Sequence, residues 1–173
     1  MPQTTSIDDE DMTDRRDLVT DEQGRIRSDN TQPVVEKVLR ERAIKTLSEV
    51  RHCYPEAILE IETTRSRGIL TACEDRCVIS KEFVETEESI SSPNRLQEYY
   101  SVLRGKARLV LIVPKAKAAE TFARMLDFNQ VWLSYYQIYY YDEKGQVGSM
   151  NRRAWCEMTG RYYDPPSRLL EII

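Results

Sequence analysis

The chain has 173 residues, 40% hydrophobic and 31% charged. That is enough for one domain with a full core and an ordinary globular balance. No apolar run approaches the roughly 18–20 residues needed to span a bilayer. The start, MPQTTSIDDEDMTD, lacks the basic and apolar stretches of a secretory signal. No membrane partner is expected, and the expected location is cytoplasmic. There four cysteines, Cys53, Cys73, Cys77 and Cys156, remain reduced thiols.

The net charge of −4 is unevenly spread. Residues 1–32 hold nine acids and four bases, which leaves 20 acids and 21 bases for the body. The first 32 residues bury too little apolar surface to offset their ordering entropy. The expected organisation is a disordered acidic tail over 1–32 and a single α/β domain over 33–173.

Pro33 opens a helix. Val34, Val35, Val38, Leu39, Ala43, Leu47 and Val50 recur at helical spacing. Residues 57–64, AILEIETT, alternate as a strand does. GILTAC and RCVISKEFVE continue as β-rich segments, with Gly68 and Glu74-Asp75 read as corners. A second helix follows, with Ser92 as N-cap, Pro93 in its first turn and Gly105 at its end. ARLVLIVP (107–114) is apolar throughout and reads as a strand buried on both faces. KAKAAETFARMLDF is a third helix, and VWLSYYQIYYYDEKGQV a strand that ends in a DEKG turn. A short helix begins near Arg152, and the closing LLEII is suited to packing on the body or on a protein partner. The fold expected from this order is α/β, a mixed central sheet with an antiparallel meander and a parallel β-α-β unit, flanked by helices.

Chemistry-bearing clusters are few. Glu60 and Glu62 share a strand face about 7 Å apart. They can hold a hard cation if a third acid converges, or form the solvated face of a half-buried strand. Cys73 and Cys77 have an allowed zinc spacing, but His52 and Cys53 are adjacent and diverge on a helix end, so zinc is not expected. His52 is the only histidine. The tyrosines at 135, 136, 139, 140 and 141 offer either a stacking platform for single-stranded nucleic acid or ordinary sheet packing. Arg104, Lys106, Arg108, Lys115 and Lys117 fall at the two ends of the apolar strand, where they can meet phosphates or solvent. No glycine-rich phosphate loop and no GxSxG elbow occurs.

The order helix–meander–helix–strand, with the stretch DRCVISKEFVETEES…RLQEYYSVLRGKARLVLIVP, resembles the restriction-endonuclease-like (PD-(D/E)XK) superfamily over residues 34–142. That resemblance implies a nucleic-acid-processing or nucleic-acid-binding domain. If active, it is a metal-dependent phosphodiesterase that uses Mg2+, with Glu60, Glu62, Asp75, Glu85 and Glu36 as metal candidates. In one placement Asp75 is the first acid and Glu85-Thr86-Glu87 the acid-x-lysine pair. Glu87 then stands where the family has lysine, which points to a degenerate, binding-only member. The alternative, from another class, is a non-enzymatic protein-interaction or regulatory module.

Overall fold

The computed structural model describes residues 32–126 and 135–162. Five helices and six strands follow one another in these residues. Helix α1 (Pro33–Arg51) precedes a meander of β1 (Ile58–Thr64), β2 (Arg67–Glu74) and β3 (Cys77–Glu85). The short α2 (Glu87–Ile90) and α3 (Arg95–Arg104) lead to β4 (Arg108–Pro114) and α4 (Lys115–Met125). β5 (Tyr136–Tyr141), β6 (Val147–Ser149) and α5 (Arg152–Thr159) complete the order. The strands form one sheet in sequence order, β1-β2-β3-β4-β5-β6. β1–β2, β2–β3 and β5–β6 are antiparallel, while β3–β4 and β4–β5 are parallel. The expected α/β class with a mixed central sheet is what the chain adopts. No helix among the described residues is long and apolar enough to cross a membrane. The expected acidic tail and the LLEII docking segment lie outside the described residues.

Two clusters separate across the sheet because strand side chains alternate faces. On one face α1 buries Val35, Val38 and Leu39 against Leu70, Val84, Val110 and Ile112. On the other, α3 and α4 bury Tyr99, Leu103, Ala118 and Met125 against Phe83, Leu109 and Leu111. β4 is buried from Leu109 to Pro114, as its unbroken apolar run requires. Tyr139 and Tyr141 join the α1 side, and Tyr136 and Tyr140 the other. The tyrosine strand therefore packs on both faces.

Three local expectations change. Gly68 is a strand residue inside β2, not a corner. A Cβ there would stand 2.6 Å from a Leu39 methyl, so the glycine lets α1 lie close on the sheet. The turns fall instead at residues 65–66 and at Asp75-Arg76, whose φ values of 50° and 65° form a two-residue hairpin link. The second helix is divided. Thr86 caps α2 through a reciprocal pair with Ser89, and Asn94 rather than Ser92 precedes α3. β6 was not expected, since three residues carry no readable period.

Candidate functional site

The metal candidates do not converge. Glu60 and Glu62 sit exposed on β1, opposite Thr71 and Ile69. Asp75 is in the β2–β3 turn, and Glu36 lies on α1, ion-paired to Arg40. Glu85 is fully buried at the end of β3. Among the described residues no group of three or more His, Cys, Asp or Glu side chains is placed to hold a metal ion. The four cysteines are free, with Cys53 and Cys77 exposed and Cys156 buried.

Glu85 lies on the α3 face, where its carboxylate is enclosed by donors. The Tyr99 hydroxyl donates to it at 2.9 Å, the Ser89 hydroxyl also donates, and Arg67 stands 3.5 Å away. Burial, followed by the charge and hydrogen bond of Glu85, raises the Tyr99 hydroxyl far above its ordinary value. The phenol therefore stays a donor. Arg67 turns both guanidinium nitrogens to Glu98, at 2.7 and 2.9 Å, and Arg95 reaches the same carboxylate at 2.9 Å. Partial burial alone would raise Glu98, but the hydrogen bonds and charges of Arg67 and Arg95 outweigh it and hold the group below its ordinary 4.5. A depressed carboxylate stabilises the fold above its unfolded value and loses that contribution as pH falls through its folded value. Acid titration should therefore weaken the fold below about pH 4.5. Glu98→Gln should flatten that limb when unfolding is followed by circular dichroism between neutral pH and pH 3.

A second buried carboxylate, Glu82, points to the opposite face because it is three residues from Glu85 on one strand. Arg42 of α1 grips it with two hydrogen bonds of 2.9 Å each. Thr46 donates at 2.6 Å and Arg108 at 3.2 Å. The Arg42 guanidinium also lies 5.1 Å from the Tyr139 ring centroid. Burial by itself lowers Arg42, but the hydrogen bond and charge of Glu82 more than reverse this, so the guanidinium is held above its ordinary value. Sequence reading passed over Glu82, Arg42 and Thr46. The available signal was a polar pair within the apolar stripe of α1, where Arg42 and Thr46 fall in line with Val35, Val38, Leu39 and Val50.

A cleft of about 1360 Å³ opens at the carboxyl ends of β3, β4 and β5. Its walls include Thr86 after β3, Pro114 ending β4 and Tyr141 ending β5, with Gln32 and Val34 at the start of α1. Residues of α2, α4 and α5 complete its lining. The lining carries five carboxylates, Glu87, Glu88, Asp142, Glu143 and Glu157, against two ammonium groups, Lys115 and Lys144. Val34, Pro114, Tyr140 and Met158 supply apolar surface between them. Lys115 is 6.0 Å from the Tyr140 ring centroid. Asp142 shapes the turn beyond β5 by accepting from the Gln146 and Lys144 N–H groups at 2.8 and 2.9 Å. Those hydrogen bonds, Gln146 foremost, hold its carboxyl below the ordinary range. The turn rests on α1 through the Lys37 ammonium, which donates to the Lys144 carbonyl at 2.7 Å.

The cations at the other end of β4 are partly committed. Arg108 bonds Glu49 and Glu82, whereas Arg104 and Lys106 are exposed. Arg76, at the hairpin turn, also faces solvent at that end of the sheet. Lys117 pairs with Glu120. Comparison with family models, with curated proteins and with solved structures finds no match.

Proposed function

We propose that this chain is a non-enzymatic protein-interaction module that receives a basic, partly apolar peptide segment in the cleft at the carboxyl ends of β3, β4 and β5. The observation that carries this reading is the lining itself: five carboxylates, of which Glu157 is ion-paired to Arg153, against two lysines, interspersed with apolar side chains. Clefts that bind a segment combine apolar contact with a few placed polar groups, and charge complementarity selects the partner and speeds encounter. Such a surface repels a phosphate backbone unless cations intervene. The absence of chemistry in this reading is supported by Glu82 and Glu85, the buried carboxylates of β3, which accept hydrogen bonds from internal donors.

The test is calorimetric titration of a peptide alternating lysine with leucine. Micromolar binding that weakens with salt is the expected result. Glu87→Gln combined with Glu88→Gln and Glu157→Gln should weaken it by roughly tenfold to a hundredfold, since three solvent-exposed charge pairs of about 0.5–1 kcal/mol each sum to about 1.5–3 kcal/mol. Indifference of the affinity to this triple substitution overturns the reading.

A second reading, the nucleic-acid domain of nuclease-like fold, keeps one observation in its favour. The order α1-β1-β2-β3-α3-β4 follows the order on which that resemblance rests. Arg76, Arg104 and Lys106 are the exposed cations available to phosphates at the start of β3 and β4. Titration of Mg2+ or Mn2+ and of single-stranded DNA separates the two. Saturable metal binding lost in Glu60→Ala and Glu62→Ala, with DNA cleavage, favours the nuclease.

A further inference from the structure

The cleft is entered from the chain's own start. Gln32 and Val34 stand in its wall, and Pro33 opens α1 between them. Gln32 has φ −58° and ψ 132°, the extended backbone that a following proline imposes. Residues 1–31 are therefore tethered at the cleft wall itself. A tethered segment that can span the distance meets its site at high effective concentration, and the advantage falls as the tether lengthens.

The tethered residues hold nine acids and four bases, unevenly placed. Residues 23–28, QGRIRS, contain Arg25 and Arg27 on either side of Ile26 and no acid. Arg27 lies five residues before Gln32 and Arg25 seven. An extended chain carries them at most about 18 and 25 Å from the wall, enough to cross a cleft of about 1360 Å³. The other two bases, Arg15 and Arg16, are sixteen or more residues away.

The open charges of the cleft match this segment. Glu87 and Glu88, in the first turn of α2, and Glu143, in the turn after β5, are exposed. Among the described residues no cation forms an ion pair with any of the three, whereas Glu157 is held by Arg153 and Asp142 by its own turn. Val34, Pro114, Tyr140 and Met158 offer apolar surface between the acids. Arginine, isoleucine and arginine in succession supply two cations around one apolar side chain.

We infer that Arg25-Ile26-Arg27 of the same chain occupies the cleft, with its guanidinium groups paired to Glu87, Glu88 or Glu143 and Ile26 laid on the apolar surface. An outside segment must then displace it. The inference rests on the reading of the cleft as a seat for basic, partly apolar segments, and adds that the seat is self-occupied.

The test uses the full chain, labelled with nitrogen-15, and the peptide alternating lysine with leucine. Arg25→Glu with Arg27→Glu should shift the backbone amide signals of Ala116, Tyr140 and Asp142. It should also raise the peptide affinity about fivefold to thirtyfold, equivalent to about 1–2 kcal/mol for two exposed ion pairs. Glu87→Lys with Glu88→Lys should shift the same signals. All four substitutions together should return them toward their native positions, because the reversed charges attract again. Arg15→Glu with Arg16→Glu changes the net charge equally and should do none of this. Glu60→Lys with Glu62→Lys, on the open edge of β1, should leave the signals in place. The signals should be independent of protein concentration. The substituted glutamates are exposed, so the core stays intact.

Unmoved signals and equal peptide affinity in the native and Arg25→Glu/Arg27→Glu chains overturn the inference and leave the proposed function standing. An equal effect of the Arg15/Arg16 pair overturns it too, since net charge then suffices. Signals that move with concentration also count against it, because the occupant is then a second copy. No peptide binding by any variant, with signals that still follow the charge swap, keeps the segment in the cleft and removes the outside partner.

Discussion

Glu82→Ala should lower the unfolding free energy by about 3–5 kcal/mol, because it strands the buried Arg42 guanidinium without its bidentate partner. Arg42 is 3% exposed and Glu82 fully buried, so neither charge can find water without disturbing the contact between α1 and the sheet. A loss of that size is a large share of the roughly 5–15 kcal/mol by which a domain of this kind is stable. The informative comparison is the double replacement, Arg42→Leu with Glu82→Leu. Removing both charges avoids the desolvation cost of either, and a buried pair is often no better than apolar residues of similar volume. The double variant should therefore be more stable than Glu82→Ala alone, despite changing more atoms. Urea unfolding followed by circular dichroism measures the order. A double variant less stable than the single one would show that the network of Thr46, Arg108 and Glu49 around the pair contributes more than its charges cost.

Glu85→Ala should cost about 2–4 kcal/mol for a related but distinct reason. Arg67 keeps its two hydrogen bonds to Glu98, so no cation is stranded. The Tyr99 hydroxyl, on a side chain 1% exposed, loses its acceptor. An unsatisfied buried group costs about 1–3 kcal/mol, and the cavity left by the side chain adds to it. Glu85→Gln keeps an acceptor and the volume, and should recover at least half of the loss. Tyr99→Phe in the Glu85→Ala background should then be nearly neutral, since it removes the orphaned donor. The same urea titrations decide this. A Tyr99→Phe change equally costly in both backgrounds would mean the hydroxyl interacts elsewhere.

These expectations bear on function as well as stability. Glu85 is the metal candidate that the resemblance puts first in the acid-x-lysine pair, and it is the one most completely enclosed. A carboxylate that gives its oxygens to Tyr99 and Ser89, beside Arg67, must surrender those partners before it can take a cation. Glu60 and Glu62, by contrast, are open to solvent and to any neighbour.

The sequence by itself determined the elements whose burial pattern is internal to one segment. The apolar run of β4, the alternation of β1 and the stripe of α1 each record how a segment meets a surface. The period needed to read that record lies within five to ten residues. The DEKG turn and the end of α3 at Gly105 were legible for the same reason, since turn chemistry is local. What only the tertiary structure decided is everything that depends on partners distant in the chain. Glu82 and Arg42 are 40 residues apart, and no local period distinguishes a glutamate destined for a buried guanidinium from one facing water. Gly68 reads as a turn in sequence, but it is a packing contact because Leu39 crosses above it. Glu36, Glu60, Glu62, Asp75 and Glu85 look alike as carboxylates. The sheet order separates them by sending two to an open edge, one to a hairpin, one to a helix surface and one to the interior. The acidic cleft was equally hidden, for its walls come from the ends of three strands and the start of α1, and only the parallel register of β3, β4 and β5 brings those ends together.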